Sequence, residues 1–175
     1  HYATAFIGKW HLYTGRDKKY NPLNQGFDIN IGGCSYGGPP TFFDPYRIDF
    51  LPDRKEGEYL PNRLADEAIA FISEQNSKDK PFFVALWNYT VHWPMEAPDK
   101  LVEKYKNLPV KGYRDHRYAA MIEAMDIAIG KVLKSLDDLN ITEETLVIFT
   151  SDNGPFGGVG DALSLIHISE PTRPL

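Results

Sequence analysis

The chain has 175 residues, a formal net charge of −5, and 42% hydrophobic against 25% charged residues. A chain of this size buries roughly 70% of the surface its unfolded form exposes, enough for one domain with a core of its own. The charge balance offers no basic surface for nucleic acid or anionic lipid, and no run of eighteen apolar residues is present to span a membrane.

In chain order, residues 3–7 form a short apolar run ending at Gly8-Lys9-Trp10-His11, the pattern of a strand leading into a polar loop. Residues 20–53 are dense in glycine, proline and aromatics and are predicted to make a long surface excursion, a kind of segment that often carries substrate contacts. Its aromatics Tyr36, Phe42, Phe43 and Tyr46 can either stack on a ring-shaped ligand or fill the loop's own core. Cys34 is the sole cysteine, which excludes an internal disulfide and marks it as a small loop residue. Pro61 and Asn62 open a predicted helix, with Asn62 as its cap and Leu64, Ala68, Phe71 and Ile72 on one face.

A turn at 78–81 leads into residues 82–87, a continuous apolar run expected to be a strand covered on both faces, and then into Val91-His92-Trp93-Pro94. Tyr118, Met121, Ile122, Met125, Ile129, Val132, Leu133 and Leu136 trace a helical stripe broken only by Gly130. After a turn at 137–144, residues 145–149 are predicted to be a further strand, ending at Ser151-Asp152-Asn153-Gly154. The sequons at Asn88 and Asn140 matter only in a glycosylating secretory pathway. Helix, strand, long helix and strand in succession define an α/β fold: part of a doubly wound, mostly parallel sheet flanked by helices.

Ligands of such sheets bind where loops leave the carboxyl ends of the strands. Three polar clusters occupy that position, so Lys9, His11, His92, Asp152 and Asn153 are expected to converge on one crevice. Asp152 and Asn153 offer a carboxylate and an amide oxygen, hard donors suited to Ca²⁺ or Mg²⁺ rather than to a soft metal. Taken singly, an Asp-Asn before glycine is a turn former, a histidine before Trp-Pro packs in a loop, and Lys9 is a solvated charge with its stem on Trp10. His1 and His116 have no comparable setting and read as surface residues.

The segment from Thr4 through Gly8-Lys9-Trp10-His11 to Leu12, the Asn24-Gln25-Gly26-Phe27-Asp28 step, the His92-Trp93-Pro94 ending and the path from Met121 to Asp152-Asn153-Gly154 resemble, in order and spacing, the sulfatase family of the alkaline phosphatase superfamily. The resemblance covers about residues 1–156 and implies an interior portion of an alkaline phosphatase-like catalytic domain, truncated at both ends. It implies that Asp152 and Asn153 bind the divalent metal, that Lys9 stabilises charge on the sulfuryl group, that His11 bonds the nucleophile and that His92 contacts the ester and helps protonate the leaving alcohol. It also implies a sulfate-ester small molecule or a sulfated glycan as partner, no nucleic acid, and the periplasmic, secreted or lysosomal setting typical of the family.

The family's Cys/Ser-x-Pro-x-Arg segment, whose first residue becomes the formylglycine nucleophile, does not occur in these residues. Cys34 is followed by Ser35-Tyr36-Gly37 and falls after the Gly-Lys-Trp-His signature, so it is not cast as that nucleophile. Residues 1–160 are therefore read as partial catalytic domain, with the nucleophile outside this chain. Residues 161–175 lack the family pattern and resemble the translation of a transposase mosaic-end adapter from sequencing libraries, which sets them and His167 apart from the fold. A phosphate or phosphonate ester hydrolase of the same superfamily is the runner-up, and a catalytically inert partial domain is the alternative outside the enzyme class.

Overall fold

The computed structural model describes residues 1–13, 18–109 and 115–153. Three parallel strands, β1 (Ala3–Gly8), β2 (Ile29–Ile31) and β3 (Phe82–Trp87), form a sheet in the order β2-β1-β3. β1 is the central strand, with Ala5 opposite both Ile29 and Val84 and Gly8 opposite Trp87. Both polar loops that follow β1 and β3 therefore leave the same end of the sheet.

Alternation along the strands separates two faces. Ala3, Ala5 and Ile7, with Phe82, Val84 and Leu86, point into the main core, where helix α1 (Leu60–Ser77) lays Leu60, Leu64, Ala68 and Phe71. The opposite face carries a smaller aromatic cluster in which Phe6 meets Trp10, Phe27 and Trp87 edge-on, at centroid distances of 4.8, 5.5 and 5.1 Å. That face is only partly covered. Phe83 is 53% exposed and Trp87 48% exposed, so β3 is not buried on both sides as its apolar run suggested.

Helix α1 begins earlier than the Pro61-Asn62 signal implied. Tyr59 is its N-cap residue and makes no side-chain cap bond, while Asn62 lies inside the first turn and accepts a hydrogen bond from Lys131 Nζ at 3.2 Å. Helix α3 (His116–Asp138) matches the expected long helix, but the face it buries is rotated from the predicted stripe. Ala119, Ala120, Met121, Ala124 and Ala128 are buried, whereas Ile122 and Leu133 are exposed. Small residues let α3 pack close to α1 and α2 (Asp99–Lys106), and periodicity of large side chains alone does not reveal such a face.

The glycine-rich excursion is more integrated than a surface loop. It contributes β2, and Phe42, Tyr46, Ile48 and Leu51 are buried in the main core. Three carboxylates organise its backbone, among them Asp53, which accepts from the Tyr46 amide at 3.1 Å. Asp44 accepts from the amides of Arg54 (2.6 Å) and Lys55 (3.2 Å), and Glu96 accepts from Thr41 Oγ1 (2.8 Å) and the Phe42 amide (2.7 Å). The buried Arg63 donates to Glu67 Oε1 at 2.7 Å and to the Pro52 carbonyl at 3.0 Å, tying the end of the excursion to α1.

The predicted strand at 145–149 is absent. Residues 145–150 join no ladder, and Leu146, Ile148 and Phe149 are 85%, 77% and 77% exposed. A strand exists through its neighbours, and nothing among the described residues pairs with this segment, so its apolar side chains stay in solvent.

Candidate active site

The end of β1 is held hard against the end of β3. The Lys9 amide donates to the Trp87 carbonyl at 2.7 Å, and Gly8 adopts φ +107° so that the chain can turn beneath that carbonyl. Trp10 then points inward: its indole Nε1 donates to the Tyr20 carbonyl at 2.6 Å and its ring stacks on Trp87 with centroids 5.9 Å apart. One buried tryptophan thus anchors the loop, and the polar side chains on either side of it, Lys9 and His11, come from the same short turn. His11 takes a left-handed conformation, φ 52°, held by its amide donating to the Cys34 carbonyl at 3.0 Å.

Cys34 is fully buried, its Sγ 3.6 Å from the Tyr89 hydroxyl, which itself donates to the Gly32 carbonyl at 2.9 Å. Burial pushes the Cys34 thiol up, and burial likewise raises the Tyr89 phenol. A protonated, enclosed thiol is a poor nucleophile, and its main chain serves instead to fasten His11.

The structure brings one pair of the predicted residues into contact. Lys9 Nζ lies 3.9 Å from Asp152 Oδ2, bridging the end of β1 to the Ser-Asp-Asn segment; the lysine side chain is 22% exposed and the aspartate 71%. His11 and His92 lie against adjacent residues of the excursion, His11 on Gly37 and His92 on Gly38. His92 Nδ1 is 3.1 Å from the Trp93 carbonyl. A carbonyl only accepts, so in that bond Nδ1 carries the proton and the outer nitrogen, Nε2, is the one available to a ligand: an acceptor in the neutral ring, a donor in the protonated one.

Asp152 and Asn153 are both exposed, and Ser151 Oγ donates to the Asn153 carbonyl at 2.8 Å. Gly154 and residues 161–175 lie outside the described residues. As hard oxygen donors, Asp152 and Asn153 have the right chemistry for Ca²⁺ or Mg²⁺, but two donors fall well short of the roughly six to eight oxygens Ca²⁺ takes. Among the described residues no group of three or more His, Cys, Asp or Glu is placed to hold a metal ion. These residues alone do not enclose a cation.

Sequence reasoning overlooked Gly37 and Gly38, which seat the two imidazoles, and Tyr89 and Glu96, which brace the loop around them. The clustering of glycine at 32–38 was the available signal, and it was read as part of a long surface excursion.

A parallel α/β sheet thus carries a lysine and two histidines on the loops that leave its strand ends, with an aspartate approaching the lysine. The chain belongs to the Sulfatase family, whose model matches residues 1–166. It is 33% identical over 170 residues to N-acetylgalactosamine-6-sulfatase of Canis lupus familiaris, an alignment covering 87% of this chain and 30% of that protein. It is also 33% identical over 178 residues to an ulvan-active sulfatase of Formosa agariphila, covering 91% of this chain and 34% of that one. Among solved structures, Ps i-CgsB in complex with k-i-k-neocarrahexaose superposes with a TM-score of 0.72 at 27% identity, over 93% of this chain and 39% of that one. The fold is thus part of the alkaline phosphatase-like architecture, and the chain spans about a third of the length of the curated relatives it matches.

Proposed function

We propose that the complete protein is a sulfuric ester hydrolase acting on a sulfated sugar or aryl sulfate, and that this chain supplies the lysine, the two histidines and part of the metal shell. The observation that carries the reading is the approach of Lys9 to Asp152 at the strand ends of a chain whose family is known. Lys9 is the cation that would face the sulfuryl oxygens, where negative charge gathers as the ester bond breaks. His92, presenting Nε2, would lie against the ester oxygen and return a proton to the departing alcohol. His11 would bond the attacking group, a formylglycine hydrate carried outside these residues. Asp152 and Asn153 would contribute two oxygens to Ca²⁺, or to Mg²⁺, whose role when bound is to orient the nucleophile and offset charge on the sulfate.

A ring-bearing substrate is supported by the aromatics beside the histidines. Phe42 and Tyr46 are wholly buried and Phe43 packs on Tyr59 at 5.1 Å, so of the four aromatics at 36–46 only Tyr36 is exposed, next to Gly37. Trp93, next to His92, is exposed as well, and such faces suit the apolar side of a sugar. The names of the relatives point the same way, since they include an N-acetylgalactosamine-6-sulfatase and an ulvan-active sulfatase.

The test is turnover of 4-nitrophenyl sulfate and of sulfated galactans by the complete protein, with 4-nitrophenyl phosphate alongside. Sulfate release is expected from the complete protein and none from the 175-residue chain alone. Preferential phosphate release would replace the reading with the phosphate-ester alternative. We also propose that residues 161–175, of which the family match takes in the first few, lie outside the domain; a genuine coding continuation through those codons in the source DNA would refute this.

A further inference from the structure

We propose that Gly37 and Gly38 are positioning residues: their bare main chain is the wall against which His11 and His92 each rest, His11 at Gly37 and His92 at Gly38, and a side chain at either position would displace the ring it meets. A Cβ built on Gly37 would stand 2.7, 2.9 and 3.2 Å from Cε1, Nδ1 and Nε2 of His11, so its three nearest neighbours all belong to that one imidazole. A Cβ on Gly38 would overlap His92 Nδ1, and would stand 2.9 Å from His92 Cε1 and 2.7 Å from the Trp93 carbonyl oxygen. Neither glycine adopts a positive φ, so the demand is for space rather than for an unusual backbone.

The wall is braced from both sides. At its start the Cys34 carbonyl accepts from the His11 amide, while the Cys34 thiol meets Tyr89, three residues before His92. Just beyond it, Thr41 and Phe42 donate to Glu96, four residues after His92. The segment bearing His92 thus grips the glycine loop at two points, and that loop in turn holds His11.

The two glycines differ in a way that makes the proposal testable. At Gly37 the obstruction is the far end of a rotatable side chain, which can swing aside cheaply; at Gly38 it includes a main-chain carbonyl, which cannot. In the complete protein, Gly37→Ala is expected to leave Tm within about 2 °C of wild type, to move the His11 imidazole resonance in histidine-labelled NMR spectra, and to leave His92 unmoved. Gly38→Ala is expected to move His92 and to lower Tm. Gly130→Ala, where a Cβ meets nothing within 4 Å, serves as the control and changes neither ring.

The activity arm rests on the sulfatase reading: kcat falls roughly a hundredfold in each wall variant, because small misplacements of a reacting group cost on that order. The spectral arm does not depend on that reading, so absence of sulfatase activity and failure of the wall are told apart. Should Gly37→Ala not fold, combining it with His11→Asn, whose short side chain vacates the space, is expected to restore folding. Rings that stay in place in both variants, equal movement of both rings in each, or no rescue by the double variant would overturn the proposal.

Discussion

Replacing Lys9 with alanine in the complete protein is expected to lower kcat about 10²- to 10³-fold while leaving the melting temperature nearly unchanged. The ammonium is mostly sheltered, and its charge partner, Asp152, is largely in water. A half-exposed ion pair contributes only about 0–1 kcal/mol to stability, because solvent screens it and ordering two side chains opposes it. A fixed charge aimed at an oxyanion is another matter, since removing one such donor costs on the order of 3–4 kcal/mol in the transition state. The expected signature is therefore a split, with activity lost and fold kept. Steady-state kinetics and a thermal melt on the same preparation read it directly; unchanged kcat would remove Lys9 from the chemistry, and a collapsed melt would make its role structural.

Gly8→Ala is expected to do the reverse and strike the fold first. A Cβ there would overlap the Trp87 carbonyl oxygen and come within 2.9 Å of its carbonyl carbon, both main-chain atoms of the neighbouring strand. The φ of +107° is itself costly for any residue with a side chain, by about 1–3 kcal/mol, and the overlap adds an overpacking penalty of similar size. Against a total stability of about 5–15 kcal/mol, a combined loss of about 4 kcal/mol lowers Tm by several degrees in the complete protein. Activity should fall too, since the β1–β3 junction carries the Lys9 loop. A melt within about 2 °C of wild type would show that the two strand ends can part without consequence.

How much could be read in advance follows from what kind of information each feature needs. β1, β3, α1 and α3 were legible because each is an unbroken apolar run or a helical period, and the position of the polar clusters just after β1 and β3 followed from where those runs end. Tyr46 and Phe42 were not assignable, since an aromatic in a loop looks the same whether it fills a core or greets a ligand. Helix α2 was overlooked, although Pro98 before Asp99 and the lysines Lys104 and Lys106 in its last turn are ordinary start and stop signals. The alanine face of α3 escaped because a stripe of large residues outweighs small ones in any hydrophobic period. Residues 145–149 show the opposite failure: their β-propensity is plain, but pairing is a property of the neighbour. The pairing of each histidine with its own glycine depends on tertiary approach, which no local pattern records.

The unladdered stretch Thr145-Leu146-Val147-Ile148-Phe149 has a colloidal consequence. It is uncharged, free of proline and rich in branched and aromatic side chains, the composition that stacks copy upon copy into dry sheet-like assemblies. The isolated 175-residue chain is expected to scatter light increasingly with concentration and to recruit an amyloid-reactive dye, and Ile148→Lys, by placing a like charge in every copy, is expected to suppress both. A solution that stays clear and monodisperse at every concentration would show that this ribbon finds shelter within its own molecule.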